Sequence, residues 1–227
     1  MQNSTAMAST QKELMDRIYR YTRHVYDASR KYFLLGRDKL IVDLSAQPED
    51  KICEIGCGTA RNLVKMAEKY PQSHFYGIDA SEEMLKTARH NLKQAKQEYF
   101  IPVKQGYAQN FGPQSLFGVS HFDKIVFSYS LSMIPPWRES IQHSLNLLPE
   151  GGEVHIVDFG QQKDLPKWFR EILFWFLGLF HVRPEPDLYE FLKELEEQGQ
   201  GTLEWKSRYK GYCFLARFKK PKKDDDA

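Results

Sequence analysis

The sequence predicts an α/β fold in which a mostly parallel sheet is flanked by helices. A short run at 51–55 ends on Gly56 and Gly58 and passes directly into helix-forming residues, which indicates a strand, a tight turn and a helix. A second apolar run, 74–78, ends on Asp79. The run 121–127 is almost continuously apolar, as a parallel strand covered on both faces requires.

Length and composition indicate one substantial domain. The chain has 227 residues, of which 41% are hydrophobic and 27% charged, as in ordinary globular proteins. The formal net charge of +2 is too small to indicate a nucleic-acid partner, and we expect none. Cys53, Cys57 and Cys213 fit no zinc or redox spacing, so we expect buried thiols in a reducing compartment and no metal.

The glycine turn and Asp79 together predict a nucleoside site. A dinucleotide fingerprint needs a third glycine where Arg61 stands, and no lysine-serine or lysine-threonine pair follows to make a phosphate loop. Asp79 lies roughly 20 residues beyond the glycines, the usual distance for a carboxylate that binds ribose hydroxyls. Taken alone, Asp79 could equally cap the helix predicted over 81–95.

The pattern Glu54-x-Gly56-x-Gly58-x-Ala60 resembles the first motif of class I S-adenosylmethionine methyltransferases, with Ala60 where that family usually has glycine. The resemblance implies a Rossmann-like, seven-stranded, mostly parallel sheet. It also implies S-adenosylmethionine as cofactor and S-adenosylhomocysteine as product. The cofactor-binding residues that we predict are Arg37, Glu54, Gly56, Gly58, Thr59, Asn62, Asp79, Ala80, Met84, Gln105, Ala108, Ser128 and Ser130.

The adenine contact is open at this point. The third strand is predicted over 97–105 and ends at Gly106. Methyltransferases often carry an acidic residue next, but here the position is Tyr107. Gln105, Ala108 or Gln109 then replaces that contact, or the contact is lost.

A helix is predicted over 11–35, with an apolar stripe and Gly36 as its stop. It is either an amphipathic helix packed on the sheet or a lid over the cofactor. In a lid, tyrosines would face a cationic centre, an attraction of about 0.5–2 kcal/mol, and Arg37 would face a carboxylate of cofactor or substrate.

Three blocks, 26–38, 128–135 and 157–160, resemble the N-methyltransferases of betaine-lipid synthesis. This resemblance implies methylation of diacylglycerylhomoserine to a trimethylated lipid. An amine-headgroup lipid and the membrane surface would then be the partners, with the protein cytoplasmic and peripherally attached to the membrane. Because two cationic groups must meet, we expect aromatic side chains to cage or align the amine: Tyr19, Tyr26, Tyr32 and Tyr129.

The aromatic segment 167–183 has basic residues at both ends and is too short to span a bilayer, which takes about 20 residues. It is either a buried core helix or a helix lying in the membrane interface. Further elements are predicted as a helix over 138–148, a strand over 153–158, a helix over 187–197 and a strand pair over 199–210 and 211–219.

We therefore predict one domain over 11–219, with lid helices in 11–45 and a helical insertion in 163–200. Residues 1–10, which have no secretory signal, are expected to form a disordered tail, and 220–227 a charged tail. Two other acceptors, phosphatidylethanolamine and a soluble amine, are alternatives. So is a non-enzymatic module that binds a nucleoside or a lipid, whereas Arg61 disfavours a nicotinamide oxidoreductase.

Overall fold

A computed structural model describes residues 33–179, 182 and 184–222. Their strands form one seven-stranded sheet in the order β3-β2-β1-β4-β5-β7-β6, parallel except for β7, which runs antiparallel to β5 and β6. This confirms the predicted seven-stranded, mostly parallel sheet. The strands are β1 (Lys51–Ile55), β2 (His74–Asp79), β3 (Val103–Gln105), β4 (Lys124–Ser128), β5 (Glu153–Phe159), β6 (Thr202–Arg208) and β7 (Cys213–Lys219).

Helices cover both faces of the sheet. One apolar cluster joins α1, α2, α3 and α6 to the sheet, and a second joins α4, α5 and α7 to its other face. All seven residues of β5 are buried, as a strand between two helical layers requires. The helices are α1 (Arg37–Asp43), α2 (Arg61–Lys69), α3 (Glu82–Gln94), α4 (Pro113–Phe117), α5 (Trp137–Leu147), α6 (Lys167–Leu179) and α7 (Leu188–Glu197), with a 3-10 turn at Leu131–Met133.

The strand order reverses between β1 and β4, which start crossovers toward opposite sides of the sheet. Such a switch point opens a crevice beyond the carboxyl ends of the strands, and ligands of open α/β sheets bind there. Within the described ranges, no helix combines the length and the apolar content needed to cross a bilayer.

Four predicted strands are shorter than expected: the third, the fourth and the last two, which begin only at Thr202 and Cys213. In the third, the backbone amides of Phe100 and Ile101 both donate to the carbonyl of Gln97 at 3.0 Å, so 97–101 is a turn that closes α3. In the fourth, residue 123 precedes the strand, and the Asp123 carboxylate accepts from the Lys51 amide at 2.8 Å. In both strands, hydrogen bonds outside the sheet ladder outweigh the apolar pattern: within the turn at 97–101, and from β1 to Asp123.

The amino-terminal prediction is only partly covered. The helix over 11–35 lies outside the described residues except for its last three positions. Gly36 has φ of 84° and directly precedes α1, which lies inside the range 11–45 predicted to hold lid helices. The short helix α4 was not predicted. All three cysteines are buried free thiols, as predicted.

Candidate active site

The glycine turn after β1 is fixed by its neighbours. Gly56 and Gly58 have φ of 71° and 53°, a region that residues with a Cβ rarely adopt. The amides of Gly56 and Cys57 donate to the Ile78 carbonyl at 2.9 and 3.0 Å, which ties the turn to β2. A Cβ on Gly56 would lie 2.6 Å from the Cβ of Ser130, so only glycine fits this close approach.

Asp79 orients the same turn from the end of β2. Its Oδ2 accepts from the Gly58 amide and its Oδ1 from the Ser81 amide, both at 2.9 Å. The cap of α3 is Ser81, whose hydroxyl accepts from the Met84 amide at 3.3 Å, so Asp79 is not the N-cap.

A chain of polar contacts supports the turn from behind. Glu54, buried in β1, accepts from the Asn62 side-chain amide at 2.7 Å. Arg61 donates to the Asn62 side chain at 3.0 Å and to Asp38 at 2.8 Å. Burial raises the pKa of Asp38, but the bonds from Arg61 and Lys65 outweigh it and hold that pKa below its usual value. Glu54 and Asn62 therefore brace the turn, and Arg61 ties it to α1.

A cleft of about 590 Å³, part of it open to solvent, lies over the carboxyl ends of the central strands. Seven of the predicted residues line it: Gly56, Gly58, Asp79, Ala80, Ala108, Tyr129 and Ser130. Of the residues predicted as candidates for the adenine contact, Ala108 and Gln109 lie on the wall and Gln105 does not. Tyr107 also lies on the wall. Met133 and Ile134 line it too. Their signal was the block 128–135, in which only the earlier positions were assigned to the site.

Other predicted residues lie away from the cleft wall. Met84 belongs to α3 and is buried in the apolar core, and Ser128 is buried in β4. The side-chain amide of Gln105 donates to the Ala80 carbonyl at 2.9 Å, so it fixes the backbone beside Asp79. The Thr59 carbonyl accepts from Asn91 at 3.0 Å, and the Arg37 Nε donates to the Leu34 carbonyl at 3.1 Å. Three predicted residues lie outside the described part of the chain: Tyr19, Tyr26 and Tyr32.

Tyr129 occupies a strained position at the end of β4. Its φ is 56°, in the left-handed region, and its amide donates to the Val157 carbonyl at 2.8 Å. Its hydroxyl donates to the Leu35 carbonyl at 2.6 Å, and the Tyr212 hydroxyl donates to the Phe33 carbonyl at 2.8 Å. The hydroxyls of Tyr129 and Tyr212 therefore fix residues 33–35 on the sheet edge, and Tyr129 also lines the cleft.

The cleft also holds a buried hydroxyl that the fold does not satisfy. The Ser130 Oγ is on the wall and has no hydrogen-bond partner within the described part of the chain. Leaving such a group buried and unpaired costs about 1–3 kcal/mol. The wall therefore offers the exposed backbone of Gly56 and Gly58, the Asp79 carboxylate and the unpaired Ser130 hydroxyl. These groups suit a polar nucleoside.

Behind this wall, Asp158 is buried at the end of β5. Its oxygens accept from the amides of Ser132 at 3.1 Å and Phe159 at 2.8 Å. Burial raises the pKa of Asp158 to about 6 despite these two bonds. The Phe159 ring packs edge-on against Tyr129, with the ring centroids 4.6 Å apart.

Comparisons with known proteins identify a methyltransferase domain. A family model described as a methyltransferase domain matches residues 46–198. The demethylmenaquinone methyltransferase of Listeria welshimeri serovar 6b is 25% identical over 168 residues, which cover 71% of this chain and 69% of the relative. A malonyl-[acyl-carrier protein] O-methyltransferase of Paenibacillus sp. is 27% identical over 134 residues, covering 59% of this chain and 46% of the relative.

Solved structures share the fold at low sequence identity. An O-methyltransferase family protein from Burkholderia thailandensis has a TM-score of 0.69 at 16% identity, covering 92% of this chain and 63% of that one. The YcgJ protein from Bacillus subtilis has a TM-score of 0.64 at 15% identity, covering 82% of this chain and 98% of that one. The class I fold implies S-adenosylmethionine as the cofactor. The chain belongs to the methyltransferase domain family.

Proposed function

We propose that the protein transfers methyl groups from S-adenosylmethionine to the amine of diacylglycerylhomoserine, giving a trimethylated betaine lipid. The observation that carries the lipid part of this proposal is the exposed aromatic face of α6. The likeness of three sequence blocks to betaine-lipid N-methyltransferases supports the choice of head group.

Helix α6 has one buried and one exposed apolar face. Leu173 and Leu177 are buried in the same apolar cluster as Tyr129. Trp168, Ile172 and Trp175 are 64%, 57% and 67% exposed and recur at the spacing of one helix face. A contiguous apolar stripe in water is costly, and tryptophan is favoured at the depth of lipid head groups. One face of the helix therefore packs in the core, and we propose that the exposed face contacts a membrane surface.

The position of α6 suits a lipid substrate. The helix follows β5 at the carboxyl edge of the sheet, the edge that carries the cleft. Phe176 stacks on Phe33 at 5.0 Å, and Phe33 in turn is held by the Tyr212 hydroxyl. A membrane contact through α6 would leave the acyl chains in the bilayer and require only the head group to reach the cleft.

The chemistry assigns simple tasks to the residues of the cleft. The bound cofactor supplies an activated methyl group for an in-line displacement, so alignment and exclusion of water are the main demands on the protein. The backbone of Gly56 and Gly58 and the carboxylate of Asp79 would hold the nucleoside, and the Ser130 hydroxyl would gain a partner. Tyr129 would place its ring beside the two cationic groups.

Demethylmenaquinone is a second candidate acceptor because the Listeria relatives carry it in their name. The deciding experiment gives the purified protein labelled S-adenosylmethionine and vesicles that contain one acceptor at a time. We expect diacylglycerylhomoserine to gain one, two and then three methyl groups by mass spectrometry. Label in demethylmenaquinone, in phosphatidylethanolamine or in no lipid would contradict the proposal.

A second experiment tests the membrane role of α6. Trp168→Gln combined with Trp175→Gln is expected to lower activity on vesicles at least about tenfold, because each tryptophan loses apolar burial in the interface. Activity on a short-chain, water-soluble analogue of the lipid should stay unchanged. The control is Tyr99→Gln with Phe100→Gln, since these rings are 89% and 73% exposed but lie in the turn after α3. An equal loss in the control would refute a specific role for α6.

A further inference from the structure

A second, larger cavity lies beside the sheet, between α6, α7 and the β6–β7 pair. It has a volume of about 1500 Å³, part of it open to solvent, and shares no lining residue with the cleft. Phe159 lies between the two, because it lines the cavity and its ring packs against Tyr129 of the cleft wall. The cavity therefore adjoins the candidate active site without being part of it.

Aromatic rings from α6, α7, β6 and β7 line this cavity. Trp205 of β6 stacks on Phe214 of β7 with centroids 4.0 Å apart, and Tyr189 of α7 meets Trp205 edge-on at 5.2 Å. Phe174 of α6 completes the aromatic wall. The faces of aromatic rings attract ammonium groups that carry methyl substituents, and several rings around one volume are the usual way in which proteins bind them.

Three acidic side chains and one basic side chain lie on the cavity wall. The carboxylates of Glu185 and Glu190 lie on the wall near the start of α7, and Asp164 lies in the loop before α6. Carboxylates beside aromatic rings add Coulomb attraction for a cation bound among those rings. Lys163 on the same wall offers one positive charge to an anionic group of the ligand.

Gln162 is the observation that points most directly to a ligand. It lines the cavity and is fully buried, and neither its amide nitrogen nor its amide oxygen has a partner among the described residues. Its φ is 56°, and its backbone amide donates to the Gly211 carbonyl at 2.9 Å, so the loop holds the side chain in place at a cost in strain. A buried amide without hydrogen-bond partners destabilises the folded state unless a ligand forms hydrogen bonds with it.

We propose that this cavity binds a zwitterion with a methylated ammonium group, its cation among the rings and carboxylates and its carboxylate on the Gln162 amide. The choice of ligand rests on the proposed function, whose product carries such a head group. A cavity next to the cleft would hold the methylated head group outside the reaction volume.

The test uses glycine betaine as the probe, titrated into the full chain by calorimetry. The matched ligand is 3,3-dimethylbutyrate, which has the same shape but carbon in place of the charged nitrogen. We expect betaine to bind about tenfold more tightly, the ratio that a favourable cation–π contact gives. Equal binding of the two ligands, or no binding of betaine, would overturn the proposal.

Variants locate the binding. Tyr189→Leu and Glu190→Gln should each weaken betaine binding several-fold, whereas Tyr209→Leu and Glu194→Gln, which alter exposed residues outside the cavity, should not. Gln162→Leu should weaken betaine binding and raise the melting temperature, because it removes an unpaired amide. A Gln162→Leu protein that binds betaine normally would refute the role of the amide. Methylation of lipid is measured separately, so betaine binding without lipid methylation would refute only the proposed function.

Discussion

The two ends of strand β5 carry acidic residues in opposite situations. Glu153 begins the strand and Asp158 lies one residue from its end, and both are buried. Hydrogen bonds from His155 and Lys124 outweigh the burial of Glu153 and lower its pKa to about 2. Burial dominates at Asp158 and raises its pKa to about 6.

The polar groups around Glu153 are paired with one another, whereas some of those near Asp158 are not. At the amino end, Glu153 accepts from Lys124 at 2.9 Å and from His155 at 2.8 Å, and Arg217 lies 3.9 Å away. At the carboxyl end, the hydroxyls of Ser128 and Ser130 are buried without partners among the described residues. The amino end of the sheet is thus closed by mutual pairing, and the carboxyl end retains unsatisfied groups, as a binding edge does.

The largest effect on stability is expected at the amino end. Glu153→Ala leaves Lys124 and His155 buried without their carboxylate, which should cost about 3 kcal/mol in the free energy of unfolding. Urea denaturation at neutral pH measures this. Glu204→Ala is the control, since Glu204 pairs with Arg217 on the surface and should cost less than about 1 kcal/mol. Equal losses in the two variants would contradict the contrast between buried and exposed pairing.

The pH dependence should show the opposite behaviour of Asp158. Its pKa rises from 3.8 to about 6 on folding, so the folded state binds more protons between these values and its stability falls as pH rises through them. Relative to Asp158→Asn, the wild type should lose roughly 2–3 kcal/mol of its free energy of unfolding between pH 4 and pH 7. Denaturant titrations of both proteins across this range measure the difference, and a constant difference would contradict the assignment.

A smaller effect is expected at the glycine turn. Ala60 has φ of 64° and ψ of 17°, a left-handed conformation that costs an alanine roughly 1 kcal/mol more than a glycine. Ala60→Gly should therefore raise the free energy of unfolding by about 0.5–1 kcal/mol, seen as a higher melting temperature. Ala88→Gly, inside α3, should lower it. A destabilised Ala60→Gly protein would show that the turn is not strained.

The smallest effect on stability is expected at Ser130. Ser130→Ala removes an unpaired buried hydroxyl, so stability should change by less than about 1 kcal/mol, while affinity for the cofactor should fall about 3–10-fold. Ser128→Ala removes an equally buried hydroxyl that is not on the cleft wall. Calorimetric titration of both variants with S-adenosylhomocysteine separates them. Loss of affinity in Ser128→Ala alone would contradict the position assigned to the cofactor.

Strand bounds that depend on neighbouring residues in the chain could be predicted from the sequence. The predicted bounds of β1 and β2 are correct to within one residue. Each strand is followed or ended by a residue with a specific role: Gly56 allows close contact with Ser130, and Asp79 accepts backbone hydrogen bonds. The turn at 97–101 was mistaken for strand, since its bonds to Gln97 depend on how α3 ends and not on the apolar pattern.

The site was harder to predict where it depends on packing between distant segments. Nothing in the sequence shows that the Tyr129 hydroxyl reaches the Leu35 carbonyl, 94 positions away, or that Glu54 and Asn62 bond to each other behind the turn. The sequence also gives no sign that Gln162, a single polar residue in a loop, is fully buried and bonded through its backbone amide to Gly211 of the β6–β7 hairpin.

The central claim is that the nucleoside lies over the carboxyl ends of β1 and β2 and is held by Asp79. Calorimetric titration with S-adenosylhomocysteine of the wild type, Asp79→Ala and Asp123→Ala tests it, with thermal melts to verify folding. Asp123 is the matched control because it accepts a backbone amide at the opposite end of the sheet. We expect Asp79→Ala to weaken binding at least about tenfold and Asp123→Ala to leave it unchanged. A folded Asp79→Ala protein that binds with wild-type affinity would contradict the claim.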